Sequence, residues 1–217
     1  YAATAGDHWM RPALCDEAQR LGRVLVQLAP QEREVLGLMA LMEIQASRSR
    51  ARVDAAGRPV LLLEQDRGRW DRLLIGRGLA ALAHAATLGG ERGPYELQAH
   101  IAACHARARA ADATDWVQIV TLYDTLLQCT PTPVVALNRA VAVSMAFGPA
   151  AALPLVDALA AGRELDRYHL LPAVRGDLLF KLGRMAEARQ EFERAAALTN
   201  NERERSLLLE RARATLS

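Results

Sequence analysis

Residues 168–200 read YHLLPAVRGDLLFKLGRMAEARQEFERAAALTN, and the spacing inside this stretch decides the fold. A helix–turn–helix repeat of about 34 residues brings two antiparallel helices close together, so small side chains belong where they cross. Gly176 and Ala188 stand at such positions, and Gly183 sits where the first helix has to stop. From Ala188 the second helix continues with Phe192 and Ala195 at i+4 and i+7, one buried stripe. Thr199-Asn200 closes the stretch as a loop.

The pattern resembles a tetratricopeptide (TPR) repeat, although an alanine-rich helical hairpin of no particular family shares part of it. The period extends backwards. Gly148 lies 35 residues before Gly183, and Leu153 the same distance before Ala188. Thr132-Pro133 offers a cap and a first-turn proline, and Gly148-Pro149 a stop followed by a start. Further back, Ile119, Tyr123, Leu126 and Pro131 repeat the second-helix stripe, with a helix from Pro94 to about Ala111 as partner. Three hairpins are expected, 94–131, 132–166 and 168–200. A charged capping helix over 201–216 follows, opened by Asn201 with Glu204 three residues on. Pro154 and Pro172 predict a kink or a delayed helix start. Ala212, near the end, is expected to tolerate enlargement.

Before the repeats, Leu14, Ala18, Leu21, Leu25 and Leu28 form a helical stripe, and Pro30 ends it. Val35, Leu38, Met39 and Met42 mark a second helix running to about Ser47. Residues 47–63 carry Arg48, Arg50, Arg52 and Arg58 around a turn at Asp54–Gly57, and read as a small hairpin or an irregular loop. Those arginines suit a phosphate or an acidic partner, but spaced arginines on a loop are ordinarily solvated, and that reading is preferred. A long helix is expected from Glu64 to Leu88, with Trp70, Leu73, Leu74, Leu79 and Leu82 inward and its opening acids and arginines in i,i+4 pairs. Gly89-Gly90 and Gly93 mark the boundary between an N-terminal helical subdomain (1–90) and the repeats (94–217). The predicted class is all-α: two or three helices and a small hairpin loop, then a short TPR-like solenoid.

Composition agrees with helix. Hydrophobic residues make up 51% of the 217 but aromatics only 5%, because alanine and leucine dominate. A net charge of +2 gives no field strong enough to argue for nucleic acid or a membrane surface. Lys181 is the only lysine. Cys15, Cys104 and Cys129 lack metal-type spacing, no apolar run reaches the length of a membrane span, and no signal peptide is visible. A reduced, cytoplasmic protein is expected. The chain opens at Tyr1 and reads as a fragment of something longer. His100 and Cys104, four apart on one helical face beside His105, are the one cluster resembling a metal or nucleophile site, and a third ligand at recognisable spacing is missing. Glycine-rich phosphate loops and G-x-S-x-G are absent as well. No catalytic residue, metal or cofactor is expected; a metal-dependent enzyme built on that cluster is the remote alternative.

Several blocks taken in order resemble one protein class. They are YAATAGD, LCDEAQRLGRVLVQLAPQEREVLGLMALM, DRGRWDRLLIGRGL, GPYELQAHIAACHARA, TDWVQIVTLYDTLL, PTPVVALNRAVAVSMAFGPAAAL and the repeat quoted above. The class is the extracytoplasmic-function (ECF) RNA polymerase sigma factors with a long TPR-like C-terminal extension. The resemblance implies a parent that directs core polymerase to promoters. This chain would be the extension alone, since no helix-turn-helix or promoter-reading helix is visible in it. Partners implied are the sigma regions of the same chain, core RNA polymerase and small YCII-related proteins encoded nearby, without direct nucleic-acid binding. A free-standing TPR peptide-binding adaptor is the alternative from another class.

In a TPR solenoid the first helix of each hairpin lines the concave face. The repeat shift aligns Cys104 with Asn138 and His105 with Arg139, and places Asp177 and Lys181 four apart on the third such helix. His105, Asn138, Arg139, Asp177 and Lys181 are therefore the candidate partner groove. There Arg139 would take a carboxylate and Asn138 a peptide backbone, while Asp177 and Lys181 pair with each other.

Overall fold

The computed structural model describes residues 12–216 apart from Ala56, Arg58 and Pro59, and these residues fold as ten α-helices joined by turns and three short 3-10 segments. The class is all-α. The YAATAGD block and Arg58 lie outside the described residues. Packing divides the described chain after Thr130 into two units, later than the glycine boundary expected at 89–93. The reason is that the helix following those glycines packs back onto an earlier one.

In the N-terminal unit α1 (Pro12–Leu28), α2 (Arg33–Ser47), α3 (Arg72–Thr87), α4 (Pro94–Arg107) and α5 (Trp116–Cys129) follow in order. Helix α2 is the centre, with α1, α3 and α4 all packed against it. Two glycines permit the approach. A Cβ on Gly37 would lie 2.6 Å from the Glu96 backbone nitrogen on α4, and one on Gly78 of α3 would lie 2.6 Å from Cγ1 of Ile44. Alanines at 40, 99, 102, 103 and 106 complete the contact around Ile44, Trp70 and Leu82. The start of α4 is held from α2. The Glu34 carboxylate accepts from Tyr95 N (2.9 Å) and Glu96 N (3.1 Å), while Arg33 grips Glu96 through Nε at 2.9 Å and Nη2 at 2.7 Å. Pro94 is the first helical residue, as its missing N–H favours.

The leucines of the α1 stripe lie open: Leu14, Leu21, Leu25 and Leu28 are exposed, and α1 meets α2 through Gly22 with Ala18 and Val26 half-buried. The helix expected from Glu64 begins only at Arg72. Asp66 accepts from Gly68 N (2.8 Å) and Asp71 from Leu73 N (2.9 Å) and Leu74 N (3.1 Å), so local side-chain acceptors outcompete the helix before residue 72. Trp70 is buried ahead of that helix, and Leu73 is exposed. The described residues of 48–71 are irregular apart from the 3-10 segments, with Val60 N donating to Arg52 O (2.9 Å) and the expected turn made by Gly57 N donating to Asp54 O (3.0 Å).

The C-terminal unit runs α6 (Pro133–Phe147), α7 (Pro149–Ala161), α8 (Leu170–Lys181), α9 (Met185–Leu198) and α10 (Glu202–Ala214), each packed on the next. Consecutive packed pairs of this kind build a helical solenoid. The crossing of α8 and α9 is the one read from the sequence. A Cβ on Gly176 would lie 2.9 Å from two ring carbons of Phe192 and 3.3 Å from Ala188 O, and Ala188, Phe192 and Ala195 are fully buried. Gly183 has φ +76° and ends α8, its N–H bonding Phe180 O at 3.0 Å. Gly148, at φ +91°, closes α6 and opens α7 at once. Helix α8 starts at Leu170 with Pro172 in its first turn, whereas Pro154 sits inside α7. Ala212 is 4% exposed, so the last helix is packed rather than frayed.

No helix among the described residues is long and apolar enough to cross a membrane.

Candidate functional site

The residues proposed for a partner groove fall in both units. Asp177 and Lys181 pair at 2.8 Å on α8, and Arg211 of α10 bonds the same carboxylate. Burial alone would raise the Asp177 pKa, but hydrogen bonds from Lys181 and Arg211 outweigh it and hold the pKa below the usual value. This carboxylate therefore ties the capping helix to the hairpin beneath it. On α6 Asn138 is exposed and Arg139 half-buried. His105 belongs to the N-terminal unit, at the end of α4, edge-on to Trp116 with ring centroids 5.1 Å apart.

His105 instead leads to a cluster that includes Arg48 and Arg52, which the sequence reading preferred as solvated loop residues and which are substantially buried. Arg48 caps the end of α2, Arg52 lies one turn further on, and Arg67 enters from the last of the three 3-10 segments, just before α3. Arg67 is 7% exposed; it donates to the carbonyl oxygens of His105 and Ala108 (2.9 Å) and to Thr114 Oγ1 (3.1 Å), finishing the exposed end of α4. Arg48 and Arg67 both lie against the Trp70 ring, their guanidinium carbons 5.7 and 5.1 Å from its centroid. Arg48 and Arg52 share a single neutral acceptor, the Gln45 side-chain oxygen, with Arg52 at 3.0 Å.

What distinguishes the cluster is its charge. No carboxylate among the described residues bonds Arg48, Arg52 or Arg67, and the Nε atoms of Arg52 and Arg67 and the Trp70 indole nitrogen are buried without partners. Burial, then the neighbouring Arg52 and Arg67, bring the Arg48 pKa down to about 10. Burial likewise lowers Arg52 and Arg67. The same surroundings, burial first and then Arg48 and Arg67, push His105 down to about 4. Three guanidiniums this close repel one another, Asp112 near Arg67 offsets only part of that charge, and an anion joining them would relieve the rest. The run of arginines in 47–58 was visible in the sequence, but Arg67 stood outside it.

Beside Arg52, helices α1 and α2 enclose a half-open cavity of about 420 Å³. Leu38, Leu41 and Met42 form its apolar side; Gln45, Ser49 and Arg52 form a polar end. The Cys15 thiol also lines it, and Cys15, Cys104 and Cys129 are all free thiols. His100 Nε2 lies 3.6 Å from the Glu96 carboxylate, beyond hydrogen-bond distance, and is buried without a hydrogen-bond partner. Among the described residues no group of three or more His, Cys, Asp or Glu side chains is placed to hold a metal ion.

Comparison with known proteins adds little chemistry. Residues 1–86 match the model of a family of unknown function (DUF6596). The chain is similar to an uncharacterized protein of Rhizobium meliloti (strain 1021), with 49% identity over 201 residues, 93% of this chain and 47% of that protein. It thus spans about half the length of the curated relative it matches. No solved structure is significantly similar to it.

Proposed function

We propose that this chain is a non-catalytic, protein-interaction part of a longer cytoplasmic polypeptide, the regulatory extension of an ECF-type RNA polymerase sigma factor. One observation carries the interaction reading. Helix α1 presents Leu14, Leu21, Leu25 and Leu28 to solvent at 54, 52, 39 and 79% exposure, in steps of seven, four and three residues. Such steps form the seam by which one helix accepts another. A contiguous apolar row left open marks a partner site. The relative from Rhizobium meliloti is about twice as long as the matched region, so a parent of that size has further chain to supply the covering helix. The occupant proposed is a helix of the sigma regions of the same polypeptide, in keeping with the ordered blocks that resemble that class.

The double variant Leu21→Asp/Leu25→Asp tests this. In the 217-residue chain it should leave the melting temperature within a degree or two, because both side chains are exposed. In the full-length parent it should change transcription from a dependent promoter several-fold. A large loss of stability in the short chain, or unaltered transcription in the parent, would sink the proposal.

A further inference from the structure

We infer that the cavity between α1 and α2 binds a small organic anion with an apolar body, its carboxylate or phosphate received by Arg52 and its body lying on Leu38, Leu41 and Met42. The inference is independent of the sigma-factor reading.

Size and lining come first. About 420 Å³ falls within the range of sites that enclose small molecules, and such sites pair an apolar wall with a few placed polar groups. Here the apolar wall includes Leu38, Leu41 and Met42, Arg52 is the one charged side chain of the lining, beside Ser49 and Gln45, and Gln19 and Tyr95 also border the cavity. Charge sets the sign of the ligand. Arg52 is half-buried and its hydrogen bonds run only to Gln45, at 3.0 Å to the side chain and 3.4 Å to the backbone oxygen. Arg48 competes for the same side-chain oxygen, and Arg67 stands across Trp70 from it. A neutral amide is a poor counterpart for two guanidiniums; a carboxylate or phosphate accepts from the guanidinium fork with roughly twice the strength. The apolar wall excludes free inorganic phosphate as the preferred ligand, because burying Leu38, Leu41 and Met42 adds affinity only if the ligand has carbon to offer.

Calorimetric titration of the full 217-residue chain with octanoate, octyl phosphate, octanol and inorganic phosphate decides the matter. One of the two octyl anions should bind saturably, and which binds tighter identifies the headgroup. Octanol and inorganic phosphate should bind at least about tenfold more weakly. Arg52→Met should weaken the octyl anion roughly tenfold or more, yet melt no lower than the parent chain without ligand, since it removes an unpaired cation. A purely structural arginine would lower that melting temperature. Ala46→Leu narrows the cavity while keeping Arg52, and should also weaken the octyl anion. Should Arg52→Met fail to fold, this second variant decides alone. The inference is overturned if neither octyl anion binds, if octanol or inorganic phosphate binds equally well, or if Ala46→Leu leaves the affinity unchanged.

Discussion

At the scale of single residues, the fold is held where a side chain cannot be exchanged without leaving something buried. Glu96 is fully buried, and Arg33 supplies both of its short bonds. Arg33→Met leaves that carboxylate without a hydrogen-bonded cation, with Arg92 alone at 3.8 Å as ion-pair partner, and should cost about 3 kcal/mol, whereas Arg33→Met with Glu96→Leu should cost much less; equal melting of the two variants would refute the pairing. Gly176 and Gly76 form a second contrast. A methyl at 176 meets the buried Phe192 ring at 2.9 Å, while one at 76 meets nothing within 4 Å. Gly176→Ala should lose about 1–3 kcal/mol, and Gly76→Ala, in the middle of α3, should gain about 0.5–1; urea titrations that rank them the other way would contradict the crossing. His105 governs a pH dependence. Its pKa in the folded chain is about 4 against 6.5 for the free side chain. The unfolded chain therefore binds more protons between these values, and stability rises with pH through that window. The contribution is fully present above about pH 6.5, falls as pH drops towards 4, and amounts to at most roughly 3 kcal/mol. His105→Phe should flatten the slope of stability between pH 4 and 6.5; an unchanged slope would show that other groups set it.

At the scale of helices, ends were more legible than faces. Thr132 caps α6 with its hydroxyl accepting from Val135 N at 3.3 Å, and Asn201 caps α10, accepting from Arg203 N (3.0 Å) and Glu204 N (3.2 Å). These follow from local chemistry that any chain shows in its residue order. Asn201→Ala should cost about 1 kcal/mol, visible as a lower midpoint in denaturant; no change would mean that the Thr199 hydroxyl, which bonds Asn201 N and Glu204, carries the turn instead. The crossing of α8 and α9 was legible for the same reason, since small residues at fixed spacing leave few other geometries. The face of α1 was not. Periodicity locates an apolar row but does not say which neighbour covers it, and α1 rests on α2 through the adjacent face at Gly22, where a Cβ would sit 2.9 Å from the Met39 sulfur. The arginine cluster was hidden similarly. Spaced arginines look solvated in a sequence, and only the turn capped by Asp66 carries Arg67 inward to join Arg48.

At the scale of the whole chain, 27 basic and 25 acidic residues leave a net charge of +2, and several of the arginines are engaged inside the N-terminal unit rather than displayed. Sequence-specific DNA binding needs a reading element in a groove and several phosphate contacts. This chain is accordingly expected to show no promoter-selective retention in a gel-shift assay at physiological salt; selective retention would require a surface not described above. The pairing of Trp116 with His105 has a consequence of another kind. Residues 131–217 contain no tryptophan; of the three in the chain, Trp70 and Trp116 belong to the N-terminal unit and Trp9 lies outside the described residues. In a Trp9→Phe variant, indole emission therefore reports on that unit alone, while far-ultraviolet circular dichroism sums the helices of both. A protonated imidazole quenches an adjacent indole, so acidification towards pH 4 should dim Trp116 before any ellipticity is lost, turning one edge-on ring contact into a built-in pH indicator.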